Sequence, residues 1–319
     1  MTQEYYLSIV LENTHSFSAI LEVAKKAEAL GYCGLGIGEH YPTRDRPKWR
    51  PDPFVVLASL AQRVEKLKLG TLAASTSTRH PIVLASSAKT LYNLSDRRFF
   101  LCLGVGSGKD EEYSANGFPF VSIQDRLEVL EETLAIIRSL ESRGNSDNAS
   151  SLSNGKHYKI LGSRTVDGSF PPVWVGERHS TRVLKLAGLY ADSVNIHCNS
   201  VEHATKKIDL VRGFAKEAGR AKESVDAVIK HFVILDKDKD LVAEKLGYNE
   251  SKLEGESRSA FIDRQRKESP DAIIGTPDEV KGEYESYIEA GFQRFTPILI
   301  PNDLDRVNAG MDLFARILL

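Results

Sequence analysis

Arg98-Phe99-Phe100-Leu101-Cys102-Leu103-Gly104-Val105 is an almost continuous apolar run within a chain of 319 residues. A strand that is apolar on both faces is typical of a parallel sheet, because helices cover both sides of such a sheet. The neighbouring stretches, Pro81–Leu94 and Ser122–Leu140, have the apolar spacing of amphipathic helices. The run is therefore predicted to be an inner strand of an α/β fold.

The same alternation extends in both directions along the chain. Seven further strands are predicted, at Tyr5–Leu11, Tyr32–Gly38, Leu67–Ala74, Pro172–Gly176, Ser193–His197, Ala227–Leu235 and Arg294–Leu299. Further helices are predicted at Phe17–Leu30, Asp52–Lys66, Ser180–Tyr190, Val201–Ala218, after Thr276-Pro277-Asp278-Glu279, and at Asp303–Leu318. Strands that alternate with helices predict a parallel sheet, and eight such strands are the number that closes a TIM (β/α)₈ barrel.

A doubly wound open sheet is the alternative fold. Its nucleotide site requires a glycine fingerprint in the first strand–helix turn, whereas that turn here is Glu12-Asn13-Thr14-His15. We therefore predict one barrel domain over residues 1–319. Insertions are expected at its carboxyl-end face, near residues 106–120, 141–171 and 236–271.

Composition excludes several classes of function. With 42 Lys and Arg against 44 Asp and Glu, the net charge is −2, so no basic surface indicates a nucleic-acid or anionic-membrane partner. No apolar run approaches the roughly 20 residues of a membrane helix, and the first ten residues do not resemble a signal peptide. The three cysteines, Cys33, Cys102 and Cys198, are odd in number and far apart. They are predicted to be free thiols of a cytoplasmic protein.

Short motifs in the chain fail as known cofactor or metal sites. Gly104–Lys109 resembles a phosphate-binding loop, but Leu103 and Asp110 stand where that motif needs a glycine and a hydroxyl residue. In Gly34-Leu35-Gly36-Ile37-Gly38, Glu39 replaces the last glycine of a dinucleotide fingerprint. Glu39-His40 lacks a second histidine at metal-ligand spacing, so no metal is expected.

Active sites of barrels form at the carboxyl ends of the strands. The candidate residues there are Glu39, His40, Ser75, Thr76, Gly106, Ser107, Gly108, Lys109, Gly176, Glu177, Arg178, Ser180 and Thr181. The glycines of Gly106-Ser107-Gly108 can bring bare backbone close to a flat ring or an anion. Glu177 to Thr181 lead into a helix start, which favours a phosphate.

These residues also allow structural interpretations. His40 is either a catalytic acid or base or a hydrogen-bonded structural histidine. Lys109 is either a site residue or, with Asp110-Glu111-Glu112, part of a solvated charge run. Arg79-His80-Pro81 either contributes to the site or caps a helix.

Several of these segments, in this order, resemble the luciferase-like monooxygenase superfamily and most closely its branch that uses coenzyme F420, a deazaflavin. The resemblance rests on Ala27–Tyr32, Glu39-His40, Arg79–Ala85, Arg98–Gly108, Pro171–Gly176 and Ile274–Val280. Many deazaflavin relatives have an acid where Lys109 stands. The resemblance implies that His40, with Glu39, lies near the reactive ring and that the loops after strands four and five hold the coenzyme. It also implies a homodimer.

In this branch the third strand often bulges, with a non-prolyl cis peptide behind the ring. The matching stretch is Ala73-Ala74-Ser75-Thr76, whose small side chains would let a flat ring approach. The resemblance implies hydride transfer between F420 and a small organic substrate, as in methylenetetrahydromethanopterin reductases. An FMN-dependent monooxygenase and a non-catalytic flavin-binding barrel are the alternatives.

Overall fold

The computed structural model describes residues 2–11, 16–44, 50–119, 121–142, 153–161, 169–178, 180–249, 255–300 and 304–319. Within them, eight parallel strands close into a barrel that follows chain order, with helices on the outside. The barrel strands are β1 (Glu4–Ile9), β2 (Gly34–Ile37), β3 (Lys68–Thr71) continued by β4 (Ala74–Ser75), β5 (Phe99–Gly104), β8 (Val173–Glu177), β9 (Ser193–His197), β10 (Asp226–Leu235) and β12 (Arg294–Leu299). The fold is the predicted TIM barrel.

The remaining elements connect these strands. The two-residue strands β6 (Ser153–Asn154) and β7 (Lys159–Ile160) form a hairpin outside the barrel. The helices are α1 (Phe17–Leu30), α2 (Pro53–Ala61), α3 (Pro81–Leu94), α4 (Asp110–Ser114), α5 (Ile123–Ser142), α6 (Thr181–Tyr190), α7 (Val201–Glu217), α8 (Lys239–Lys245), α9 (Arg258–Glu268), α10 (Pro277–Glu289) and α11 (Leu304–Leu318). None of the helices in these described ranges is long and apolar enough to cross a membrane.

Two stretches differ from the sequence prediction. The third strand, predicted as Leu67–Ala74 with a bulge at Ala73–Thr76 implied by the resemblance, is interrupted between β3 and β4. The peptide bond between Leu72 and Ala73 is cis, the feature that the resemblance implied for this bulge. In the other stretch, 236–271 contains α8 and α9, and an unpredicted strand, β11 (Ala272–Gly275), follows.

Strand β11 adds to the carboxyl-end rim of the barrel. The first half of β10 pairs with β9, from Asp226 opposite Ser193, whereas its second half pairs with β11, from Phe232 opposite Ala272. A run of four residues is too short to be separated from its charged surroundings by periodicity, which explains why it was missed.

The amino-terminal half of the barrel interior is closed by aromatic side chains. Tyr6, Phe100 and Trp174 pack together there, with the rings of Phe100 and Trp174 stacked 4.1 Å apart. Glycines on neighbouring strands make the space: a Cβ on Gly34 would lie 2.4 Å from the Tyr6 ring, and one on Gly70 2.3 Å from the Phe100 ring. These rings thus fill the barrel interior at the amino-terminal ends of the strands, and a cavity lies toward the carboxyl ends.

Candidate active site

A cavity of about 450 Å³ lies at the carboxyl ends of the barrel strands. It collects residues from β4, β5, β8, β9, β10 and the segments that follow β2, β5 and β8. Of the predicted site residues, it is lined by Glu39, His40, Ala73, Ala74, Ser75, Gly106, Ser107, Gly176, Glu177, Arg178 and Ser180. Residues far apart in the sequence are therefore brought to one place, as expected for the catalytic face of a barrel.

Part of the cavity wall is nearly free of side chains. Gly104 and Gly176 flank Ala73, and Cβ atoms added to these glycines would lie 3.5 and 3.6 Å from the Ala73 Cβ. The result is a smooth surface against which a flat ring can lie. Ala74 also borders the cavity, but it is fully buried and packs in the outer apolar core. Ala74 thus contributes to the core as well as to the cavity wall.

Glu39 ties the segment after β2 to the bulge between β3 and β4. Its buried carboxylate accepts hydrogen bonds from the Ser75 backbone N–H at 2.8 Å and from Arg79 Nε at 2.6 Å. The hydroxyl of Tyr41 donates to it as well, at 3.2 Å. Three donors fix this carboxylate, so it orients the segment that carries His40. Arg79 also contacts Asp52, the residue that caps α2.

His40 lies at the edge of the cavity with its side chain 45% exposed. Its Nδ1 is 3.2 Å from Oε1 of Glu112 on α4, and the same oxygen accepts the Tyr41 backbone N–H at 2.9 Å. Burial raises the pKa of Glu112, but hydrogen bonds from His40, Ser107 and the Tyr41 amide outweigh it and lower that pKa below 4.5. An ionised Glu112 keeps the proton on Nδ1, which leaves Nε2 to exchange a proton with a ligand.

Sequence reasoning overlooked Glu112, which was treated as part of a charge run. Glu112 lies in the first turn of α4, which directly follows Lys109. Lys109 itself is exposed and sits at the start of α4, and Gly108 is exposed too, so neither lines the cavity. The signal available in the sequence was the position of Glu112, one helical turn after Gly108 at the end of the glycine loop.

The glycine loop closes the site beside this pair. Gly106 has φ of +82°, and an added Cβ would lie 2.1 Å from the Tyr113 hydroxyl and 2.6 Å from Ser75 Oγ. Only glycine fits there. The carbonyl of Ser107 accepts a hydrogen bond from Arg126 of α5. Thr76 is buried and hydrogen-bonds to the Gly104 carbonyl, so it shapes the wall without lining the cavity.

The segment after β8 forms the opposite rim. Buried Glu177 accepts hydrogen bonds from the Ser180 N–H and from Lys207 Nζ of α7, both at 2.7 Å. Ser180 caps α6 through the Val183 N–H. Arg178 is 66% exposed, with its guanidinium 3.8 Å from Asp271. Thr181, the first residue of α6, is exposed and does not line the cavity.

Three polar residues of the cavity were not predicted. Asn195 and His197 alternate on β9, and Lys230 lies on β10. Burial, together with the positive charges of Lys230 and Arg178, lowers the pKa of His197 to about 2, so this imidazole is neutral. A single lysine within the apolar stretch Ala227–Leu235 is the signal that could have pointed to Lys230.

The fold and cavity define a (β/α)₈ barrel with a ligand-sized site at the carboxyl ends of its strands. The chain matches the luciferase-like monooxygenase family over residues 5–294, and it belongs to that family of oxidoreductases. It is 28% identical over 220 residues to the 5,10-methylenetetrahydromethanopterin reductase of Methanolobus tindarius, which covers 69% of this chain and 62% of the relative. The chain spans about half to three fifths of the first curated relatives that it matches.

Solved structures with the same fold include enzymes of two chemistries. An F420-dependent secondary alcohol dehydrogenase in complex with an F420–acetone adduct matches with a TM-score of 0.80 and 19% identity, over 99% of this chain and 98% of that one. A long-chain alkane monooxygenase matches with a TM-score of 0.75 and 18% identity, over 99% and 91% of the two chains. At these identities the likeness concerns the fold.

Proposed function

We propose that this chain is an oxidoreductase that transfers a hydride between coenzyme F420 and a small organic substrate. The observation that carries the proposal is the His40–Glu112 pair beside a wall made of Ala73, Gly104 and Gly176. Reduction of a carbonyl carbon by hydride requires one proton on its oxygen, and oxidation of an alcohol requires its removal. The pair is built to hold or accept that proton.

The residues present fit a flat coenzyme. Side chains on Gly104, Gly106 or Gly176 would fill space along the cavity wall. His40 borders the cavity at one edge, while Arg178 and the start of α6 offer positive charge for a phosphate at another. When bound, the deazaflavin supplies the hydride-carrying carbon, and the protein contributes binding, orientation and the proton.

The roles of the chain's own residues follow from their contacts. His40 Nε2 gives a proton to the substrate oxygen in the reductive direction and takes it in the oxidative direction. Glu112 stabilises the imidazolium form, because its carboxylate contacts Nδ1. Glu39 acts as a positioning residue, since its hydrogen bonds tie the segment after β2 to Ser75 and Arg79. The partly exposed imidazole can regain its proton from water.

The F420-dependent alcohol dehydrogenase that shares this fold favours F420. The monooxygenase that shares it leaves an FMN-dependent monooxygenase as the alternative. Fluorescence titration of the purified protein with F420 and with FMN tests the choice. We expect tighter binding of F420 and no oxygen consumption on reduction. Tighter FMN binding with oxygen consumption would identify a monooxygenase. Tight coenzyme binding without turnover of any carbonyl or alcohol would identify a binding protein.

We also propose one domain over residues 1–319, a homodimer and a cytoplasmic location for the protein. Light scattering coupled to size-exclusion chromatography measures the assembly, and a mass of one 35.4 kDa chain would contradict the dimer. Limited proteolysis that released a stable fragment carrying part of the barrel would contradict the single domain. Fractionation of the source cells measures the location.

A further inference from the structure

Lys230 points into the cavity from the inside of the barrel. On β10 it lies opposite His197 of β9 and Thr296 of β12. Val228, two residues earlier and therefore on the same face of the strand, belongs to the apolar plug of the barrel with Trp174. Lys230 thus lies one layer above the plug, partly buried and lining the cavity.

This ammonium has no counter-charge of its own. Among the residues that the structure describes, Lys230 Nζ makes neither a hydrogen bond nor an ion pair. The cavity's carboxylates are engaged elsewhere, Glu39 by Arg79 and Glu177 by Lys207. Glu112, just behind the cavity rim, contacts His40. An unpaired charge in a partly buried position is unfavourable unless something supplies the opposite charge.

The other groups around Lys230 do not provide that charge. Cys102 on β5 is fully buried, which raises its pKa to about 12, so it is a neutral thiol. His197 is neutral, and Arg178 at the rim is positive. The carboxylate of Asp271 contacts Arg178 at 3.8 Å and His197 at 3.9 Å rather than Lys230. Burial and Arg178 lower the pKa of Lys230, as expected for a cation without a partner.

Lys207 shows what a structural lysine looks like in this barrel. It is buried, and its Nζ donates to Glu177 Oε2, the Arg178 carbonyl and the His197 carbonyl at 2.7, 3.0 and 2.7 Å. All three donors of that ammonium are used, two to hold the segment after β8 and one to hold the end of β9. Lys230, one strand away, has none of these bonds, so a role in holding the fold does not explain it.

We propose that Lys230 is a specificity-determining residue that binds an anionic group of the substrate, a carboxylate or a phosphate, at the bottom of the cavity. The proposal rests on the proposed function, because it assigns the substrate class of the same site. An anion there would pair with Lys230 and would also face the positive charge of Arg178. The substrate would then be a small aldehyde, ketone or alcohol that carries an acid group.

The test compares charged and neutral probes of one shape. Calorimetry measures the binding of propionate, propionamide and inorganic phosphate to the F420-loaded protein and to Lys230→Met and Lys230→Arg. Lys206→Met is the matched control, because Lys206 is exposed on α7 and pairs only with Glu202. Thermal unfolding confirms that each variant is folded, and F420 affinity is measured for each.

We expect the wild-type protein to bind propionate or phosphate about tenfold or more tightly than propionamide, the scale of a charge-assisted hydrogen bond. Lys230→Met should remove this preference, Lys230→Arg should keep part of it, and Lys206→Met should not change it. F420 affinity should change less than about threefold throughout.

Three results would overturn the proposal. The first is a wild-type protein that shows no preference for anions, and the second is a preference that survives Lys230→Met. The third is F420 binding that Lys230→Met weakens about tenfold or more, because the anion would then belong to the coenzyme. Failure of the wild type to bind F420 would instead refute the proposed function. The same anion titration on the coenzyme-free protein then decides the role of Lys230 by itself.

Discussion

His40 Nδ1 and Glu112 Oε1 lie 3.2 Å apart, although 72 residues separate them in the chain. The histidine follows β2 and the glutamate comes from α4 after β5, and the pairing of both strands with β3 brings these segments together. The same carboxylate oxygen holds the Tyr41 amide. This contact fixes both the orientation of the imidazole and the nitrogen that carries its proton.

Replacing His40 by alanine should reduce turnover by about 100-fold or more, the usual scale for loss of a general acid or base. F420 affinity should change little, because the ring surface and the phosphate end are formed by other residues. Steady-state kinetics and fluorescence titration measure the two effects. His203→Ala, on α7 away from the cavity, is the control. Full activity of His40→Ala would make His40 structural.

Glu112→Gln should lower turnover about tenfold to 100-fold, because the amide cannot stabilise the imidazolium. In the wild type the pKa of Glu112 is lowered, so the carboxylate is ionised at neutral pH and its contribution is lost as pH falls through that lowered value. The acid limb of the pH–rate profile should therefore disappear or shift in Glu112→Gln. Additive losses in the double variant His40→Ala/Glu112→Gln would show that the two residues do not act together.

The two alanines of the bulge should respond differently to leucine. Ala73 borders Gly104 and Gly176, so Ala73→Leu should prevent coenzyme binding while the protein stays folded. Ala74 is fully buried in the outer core, so Ala74→Leu should instead destabilise the fold by about 1–3 kcal/mol. Denaturant unfolding and F420 titration separate the outcomes. Normal F420 affinity of Ala73→Leu would remove this wall from the coenzyme site.

Arg178→Ala should weaken coenzyme binding by about 1–3 kcal/mol, the scale of a charge-assisted hydrogen bond to phosphate. Arg182→Ala is the matched control on α6, the helix that follows Arg178, since Arg182 pairs with Glu131 instead. The titrations are compared at low salt, where an exposed charge acts most strongly. Equal affinities of the two variants would place the phosphate elsewhere.

The barrel was predictable because its strands and helices have strong, local patterns. The bounds of Ser193–His197, Arg294–Leu299, Phe17–Leu30 and Pro81–Leu94 agree with the predicted ones. Periodicity, caps and turn residues act within a few positions, so one sequence suffices to identify them. Breaks within a strand, such as that at Leu72–Ala73, leave no such local pattern.

The site was predicted where strand ends mark it and missed where contacts cross the chain. Glu39, His40, Ser107 and Arg178 follow strands directly. Glu112 belongs to the site only through its hydrogen bonds to the segment after β2, and Lys230 only because β10 turns that face inward. Gly34 is not part of a dinucleotide fingerprint. Its lack of a side chain makes room for the Tyr6 ring inside the barrel.

The most direct test of the account follows the hydride itself. Reduced F420 labelled with deuterium at its transferable position is mixed anaerobically with small aldehydes and ketones that carry a carboxylate or phosphate. The coenzyme is followed by absorbance and the product by mass spectrometry. The account predicts oxidised F420 and one deuterium in the product alcohol, about 100-fold more slowly with His40→Ala. Absence of transfer to every carbonyl, together with oxygenated product from reduced FMN and oxygen, would contradict it.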